Sequence, residues 1–106
     1  MTTILIRKTK DSYQGFNCIG HAGYADAGSD IICAAVSVLV VNAVNSIETF
    51  TDDKFAARED HGIVELILEG SVSDKTTLLL DSMILGLRDI QTQYGNEFIR
   101  LKIEEV

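Results

Sequence analysis

The chain of 106 residues contains no proline and no tryptophan, only two cysteines, and nine basic residues against sixteen acidic ones. Each shortage excludes something. Without proline the helices lack their strongest breaker, and a proline-rich linker or tail is not expected. Two cysteines are too few for the disulfide framework of a small secreted domain, and neither sits in a Cys-x-x-Cys pair that could grip a metal. The net charge of -7 argues against broad contact with a phosphate backbone, which needs clustered Lys and Arg, so no direct nucleic acid binding is expected. Arg7, Lys8 and Lys10 form the one basic cluster and read as a solvated strand end. The longest apolar run, Ile31 to Val41, is broken by Ser37 and falls short of the roughly 20 residues that cross a bilayer. Nor does the N-terminal Met-Thr-Thr-Ile-Leu-Ile-Arg show the basic region, apolar stretch and small-residue cleavage site of a secretory signal. A cytoplasmic protein without membrane contact is the expectation.

What remains is an ordinary globular composition, 46% hydrophobic and 24% charged, enough for one domain over residues 1–106 with a modest core. Alternation of Ile4 and Ile6 against Leu5 and Arg7 predicts a strand from Thr2 to Lys8, and a second follows the turn formers Asp11 and Ser12, from Tyr13 to Ile19. In that second strand Phe16 and Cys18 share one face, Asn17 and Ile19 the other; continued alternation puts His21 with the latter pair. A helix is expected from Asp30 to about Phe50, N-capped by Ser29, apolar on nearly every side at first, as for burial against both a sheet and another layer, and then bearing a polar stripe of Asn42, Asn45, Ser46 and Thr49. Lys54–Glu59 and Gly62–Glu69 read as a hairpin turning at Asp60-His61-Gly62. A second helix, capped by Ser73 or Asp74 and ended by Gly95, runs to about Tyr94, and Glu97 to Glu105 closes the chain as a strand with Ile99, Leu101 and Ile103 on the buried face. The order ββαββαβ predicts an α+β domain in which two helices pack with a mostly antiparallel sheet.

The chemistry concentrates between Gly20 and Ser37. A strand ends in His21, a loop carrying Gly23 and Gly28 follows, and the first helix carries Cys33 in its expected first turn. A free thiol of pKa about 8.5 attacks carbonyls only as the thiolate, which a helix N-terminus and a nearby imidazolium both favour. Unpaired N–H groups of the same turn could receive an oxyanion. The residues also admit quieter roles. Cys33 could be an inert core cysteine and His21 a loop histidine. Asp30 could support the helix dipole or orient His21, and Ser37, one turn beyond Cys33, could simply bond a carbonyl of the preceding turn. Cys18 reads as a small core hydrophobe, and a Cys18–Cys33 disulfide is not expected in a reducing compartment. The glycine-bearing loop ahead of a helix also permits a rival reading, a non-enzymatic anion-binding module. No Gly-Lys-Ser/Thr or Gly-x-Gly-x-x-Gly pattern supports it.

Gly20-His21-Ala22, the glycine-bearing loop, and Ser29-Asp30-Ile31-Ile32-Cys33-Ala34-Ala35-Val36-Ser37 together resemble the signature of the Prp family of ribosomal-processing cysteine proteases. The resemblance spans 18 of the 106 residues without a departure, and the length and layout of the chain are also similar to the family's. It implies Cys33 as nucleophile and His21 as general base, with Gly20, Asp30 and Ser37 as supporting motif positions. It further implies an endopeptidase that needs neither metal nor cofactor and that acts as a homodimer; the alternative is a non-enzymatic ribosome-associated or anion-binding module that uses the loop and helix N-terminus only for contact. The implied substrate is a large-subunit ribosomal protein precursor, whose short N-terminal extension is cut off after an aromatic residue and before a small one. Gly23 and Gly28 would let residues 22–29 move and close over that peptide.

Overall fold

In the computed structural model, which describes residues 2–20, 27–60 and 62–106 and the side chains of all but the first four helical residues among them, seven elements follow in the expected order. They are β1 (Thr2–Lys8), β2 (Tyr13–Ile19), α1 (Ala27–Phe50), β3 (Lys54–Asp60), β4 (Ile63–Glu69), α2 (Asp74–Tyr94) and β5 (Ile99–Glu105). The five strands form one sheet in the order β3-β4-β2-β1-β5. Three of its four pairings are antiparallel, and β1 with β5 is parallel, because the chain must cross back over the sheet through α2 before adding its last strand. The α+β expectation holds, with a mixed sheet.

Strand alternation decides what the sheet presents to the helices. Thr2, Ile4 and Ile6 of β1, Phe16 and Cys18 of β2, Leu66 of β4 and Ile99 of β5 are all buried. They meet Ile32, Val36, Val40, Ala43 and Ile47 of α1 and Leu80, Met83, Ile84 and Leu87 of α2, one continuous core. On the opposite sheet face, which carries no helix among the described residues, Arg7 donates to Asn17 Oδ1, and Asn17 Nδ2 donates to Glu65 Oε2 at 3.0 Å. Lys8 lies 5.1 Å from the Tyr13 ring centroid, so two members of the basic cluster engage their own sheet.

Local signals place most boundaries. Ser73 caps α2 by accepting from the Thr76 N–H at 3.3 Å, and Gly95 ends the helix. Between β3 and β4 the turn is tight, and Gly62 takes a φ of 70° that other residues avoid.

Three expectations need correction. First, α1 begins at Ala27, so Ser29 is not its N-cap, and Gly28, expected in the flexible loop, lies in its first turn. Short side chains there allow the helix to extend backward, and the gap to β2 shortens accordingly. Second, the apolar N-terminal half of α1 is not buried on all sides: Ile31 is 65% and Val38 67% exposed. Its inner stripe meets the sheet, and among the described residues no second layer covers the outer one. Third, Ile103 does not join the core and is 41% exposed, because β5 is an edge strand with β1 as its single neighbour. Ile31–Phe50 has the length and apolarity of a membrane span, yet one face of it is the core described above.

Candidate active site

Cys33 is a free, half-buried cysteine, set on α1 above the end of the sheet where β1 begins and β2 ends. With the helix opening at Ala27, it occupies the seventh helical position, past the first turn expected for it. An N–H at that depth is committed to the carbonyl four residues back, and the dipole acts mainly within the first turn. The helix terminus is therefore a weaker source of oxyanion donors and of thiolate stabilisation at Cys33 than the sequence suggested.

The near partner of the thiol comes from elsewhere. Thr2 Oγ1 lies 3.2 Å from Cys33 Sγ, with either atom able to donate. Thr2 is only 2% exposed, fixed at the head of β1 by donating its N–H to the Phe98 carbonyl at 2.9 Å. Extending the alternation of Ile4 and Ile6 back by two residues puts Thr2 on the same face, so its burial has a local signal. Its meeting with α1 has none, since alternation gives a face and says nothing of which helix lies over it.

A cleft of about 140 Å³ opens beside the thiol, lined in part by Cys18, Cys33, Ser37, Val41, Ile63 and Val64. Gly20, Thr2, Glu59, Asp60 and Gly62 complete the lining. Four of the chain's segments thus converge: the head of β1, the end of β2, one side of α1 and the β3–β4 hairpin. The hairpin's part was not visible in sequence, since Glu59, Asp60 and Gly62 look like any charged turn.

Among the predicted site residues, Gly20, Cys33 and Ser37 come together in this cleft. Ser37, one turn after Cys33, is exposed to it rather than packed away. Gly20 has a steric role: a Cβ there would stand 3.2 Å from Thr2 Oγ1 and 3.6 Å from its methyl, so glycine leaves room for the hydroxyl that meets Cys33. His21 and Gly23, like His61, lie outside the described residues, and so does the side chain of Asp30.

The two cysteines separate as anticipated. Cys18 is 5% exposed on the inner face of β2, and burial, with a smaller contribution from Cys33, pushes its thiol up to about 11. At neutral pH it is a neutral, weakly nucleophilic thiol.

An accessible thiol held against a buried hydroxyl, beside a largely apolar cleft where helix meets sheet, defines an α+β domain built to present one cysteine. The model of the family described as "Cysteine protease Prp" matches residues 1–99, and the chain belongs to that family of cysteine proteases. Ribosomal processing cysteine protease Prp of Bacillus subtilis is 30% identical over 101 residues, covering 89% of this chain and 90% of the relative. The Prp of Staphylococcus aureus is 32% identical over 84 residues, or 77% of this chain and 78% of the relative. Among solved structures, S. aureus Prp with a substrate peptide superposes with a TM-score of 0.89 at 27% identity, over 98% of this chain and all of that one. SMU.848 of Streptococcus mutans gives 0.84 at 28% identity, covering 100% of this chain and 96% of that one.

Proposed function

We propose that this cysteine protease is an endopeptidase of ribosomal protein maturation, removing the N-terminal extension of a large-subunit ribosomal protein by cutting after an aromatic residue. The observation that carries the reading is the placement of Cys33 on the wall of a cleft whose other walls include Cys18, Val41, Ile63 and Val64, a lining suited to an aromatic side chain. Glu59 and Asp60 at the same cleft, and the net charge of -7, suit a basic substrate such as a ribosomal protein. Further support comes from S. aureus Prp, whose structures hold a substrate peptide and a covalently linked product peptide.

In this mechanism His21 takes the proton of the Cys33 thiol. The thiolate adds to the scissile carbonyl, the tetrahedral intermediate collapses to a thioester as the protonated amine departs, and water releases the acid. Asp30 either orients the imidazole or supports the start of α1. No metal or cofactor enters these steps. The protein would act in the cytoplasm as a homodimer, the second copy covering the exposed Ile31 and Val38 of α1 and Leu78 and Leu85 of α2. Incubating the enzyme with a ribosomal protein precursor and measuring intact masses tests the reading: a single cut after an aromatic residue supports it, and an uncut precursor refutes it. Light scattering tests the dimer, with Val38→Asp expected to yield monomers.

A further inference from the structure

We infer that Thr2 is a positioning residue for the nucleophile, its hydroxyl holding Cys33 Sγ toward the cleft and donating a hydrogen bond to the thiolate. The inference rests on the reading of Cys33 as nucleophile. Three observations support it independently of the family's motif, of which Thr2 is no part.

The first is geometry. An oxygen 3.2 Å from a sulfur is at hydrogen-bonding distance, and among the described residues Thr2 is the partner of Cys33 Sγ. A hydroxyl has one proton and two lone pairs, so it can accept from the thiol in the resting state and donate once the thiol is ionised. The second is rigidity. The side chain is 2% exposed, and its backbone pairs with Ile99 and donates to the Phe98 carbonyl, one residue before the antiparallel β1–β2 ladder begins at Thr3. A donor fixed in a sheet loses little entropy when it bonds, unlike a mobile surface side chain. The third is space. Gly20 lacks the Cβ that would press on the Thr2 hydroxyl from 3.2 Å, so the backbone ahead of His21 is shaped around this contact.

Electrostatics gives the hydroxyl a task. Among the described residues, the other titratable groups on this cleft are Cys18 from β2 and Glu59 and Asp60 from β3. The two carboxylates oppose a thiolate, and Cys18 is a neutral thiol. With Cys33 seven positions into α1 the helix terminus helps little. A fixed O–H donor on the sulfur offsets part of that opposition and keeps Sγ in the rotamer that faces substrate.

The test is the pH dependence of Cys33 alkylation by iodoacetamide, followed by intact mass in a Cys18→Ser background. Thr2→Val keeps the shape and removes the hydroxyl; its profile should shift upward by about one pH unit, with the rate on the high-pH plateau unchanged. Thr2→Ser, which restores a hydroxyl, should return the profile toward that of the parent. Gly20→Ala, which crowds the hydroxyl without removing it, should shift the profile in the same direction as Thr2→Val and serves as the deciding variant if valine prevents folding. Coincident profiles for the parent and whichever of these two variants folds would overturn the proposal. Alkylation does not depend on proteolysis, so an enzyme that fails to cut a precursor yet shows the shift would refute the proposed substrate and leave the role of Thr2 standing.

Discussion

The Gly20 N–H donates to the Gly62 carbonyl at 2.8 Å, tying the segment just before His21 to the turn of the β3–β4 hairpin. The contact closes one end of the cleft beside Cys33, and both glycines line it. It also explains why residue 62 must be small. A Cβ on Gly62 would stand 2.5 Å from the Gly20 carbonyl oxygen, and the φ of 70° already disfavours a side chain.

Gly62→Val is therefore expected to destabilise the fold by about 2 kcal/mol and to lower cleavage even in the folded fraction, because the turn can relax only by moving away from Gly20. Denaturant unfolding and kcat/KM on a precursor peptide measure the two effects. Unchanged turnover in the folded protein would mean that the hairpin does not shape the cleft.

Loss of either proposed dyad member separates chemistry from folding. Cys33→Ala and His21→Ala should each abolish cleavage of a precursor peptide, with the thermal transition of Cys33→Ala close to that of the parent since Cys33 is only half-buried. Cys18→Ser should retain cleavage and cost stability, because a polar hydroxyl replaces a buried thiol. With its thiol pushed up to about 11, Cys18 should also resist alkylation at pH 7 in the Cys33→Ala protein. Wild-type cleavage by Cys33→Ala would remove the nucleophile assignment.

Gly15 lies mid-strand in β2 with a φ of 151°, next to a register shift in the β1–β2 ladder. A Cβ there would approach the Leu66 carbonyl oxygen to 2.1 Å, inside a strand pairing that cannot part cheaply. Gly15→Ala should cost about 3 kcal/mol or more, read from the urea midpoint. A near-neutral result would show that the sheet shifts to admit the methyl.

Acid sensitivity should trace in part to Asp53, between α1 and β3. The hydroxyl of Thr76, and then the Ser73 N–H and hydroxyl, both 2.8 Å from Asp53 Oδ2, hold its carboxyl below the usual range. A depressed folded pKa adds stability above the unfolded value of about 3.9, and that contribution disappears as pH falls through the folded one. Asp53→Asn should thus be less stable than the parent at pH 7, with the difference shrinking below about pH 4. Ser73→Ala, which removes the cap of α2 as well, should cost about 1 kcal/mol at neutral pH. A penalty for Asp53→Asn that stays constant from pH 7 to pH 3 would show that ionisation is not its source.

Most elements were legible because their causes are local. Period-two alternation marks β1, β2 and β4, a serine and a glycine bracket α2, and a glycine turn marks the hairpin, so these boundaries agree with the structure to within a residue or two. The start of α1 was missed because Ala27, Gly28 and Ser29 signal a loop as readily as a helix, and tertiary packing of the following apolar stretch settles such ties. Cys33 itself was visible from its motif and from its place ahead of Ser37 on one helix face.

By itself, then, the sequence determined the ββαββαβ order, the inner faces of β1, β2 and β4, the membership of Cys33 and Ser37 in one stripe, and the burial of Cys18, all of which follow from local order and periods of two or 3.6 residues. Only the tertiary structure decided that β5 would join β1 in parallel, that the hairpin would form a wall of the cleft, and that Thr2 would meet a sulfur 31 positions away. The physical reason is one of range. Backbone geometry and side-chain alternation are written within a few residues, whereas the partner across a helix–sheet interface depends on the packing of the whole core, which no single segment encodes.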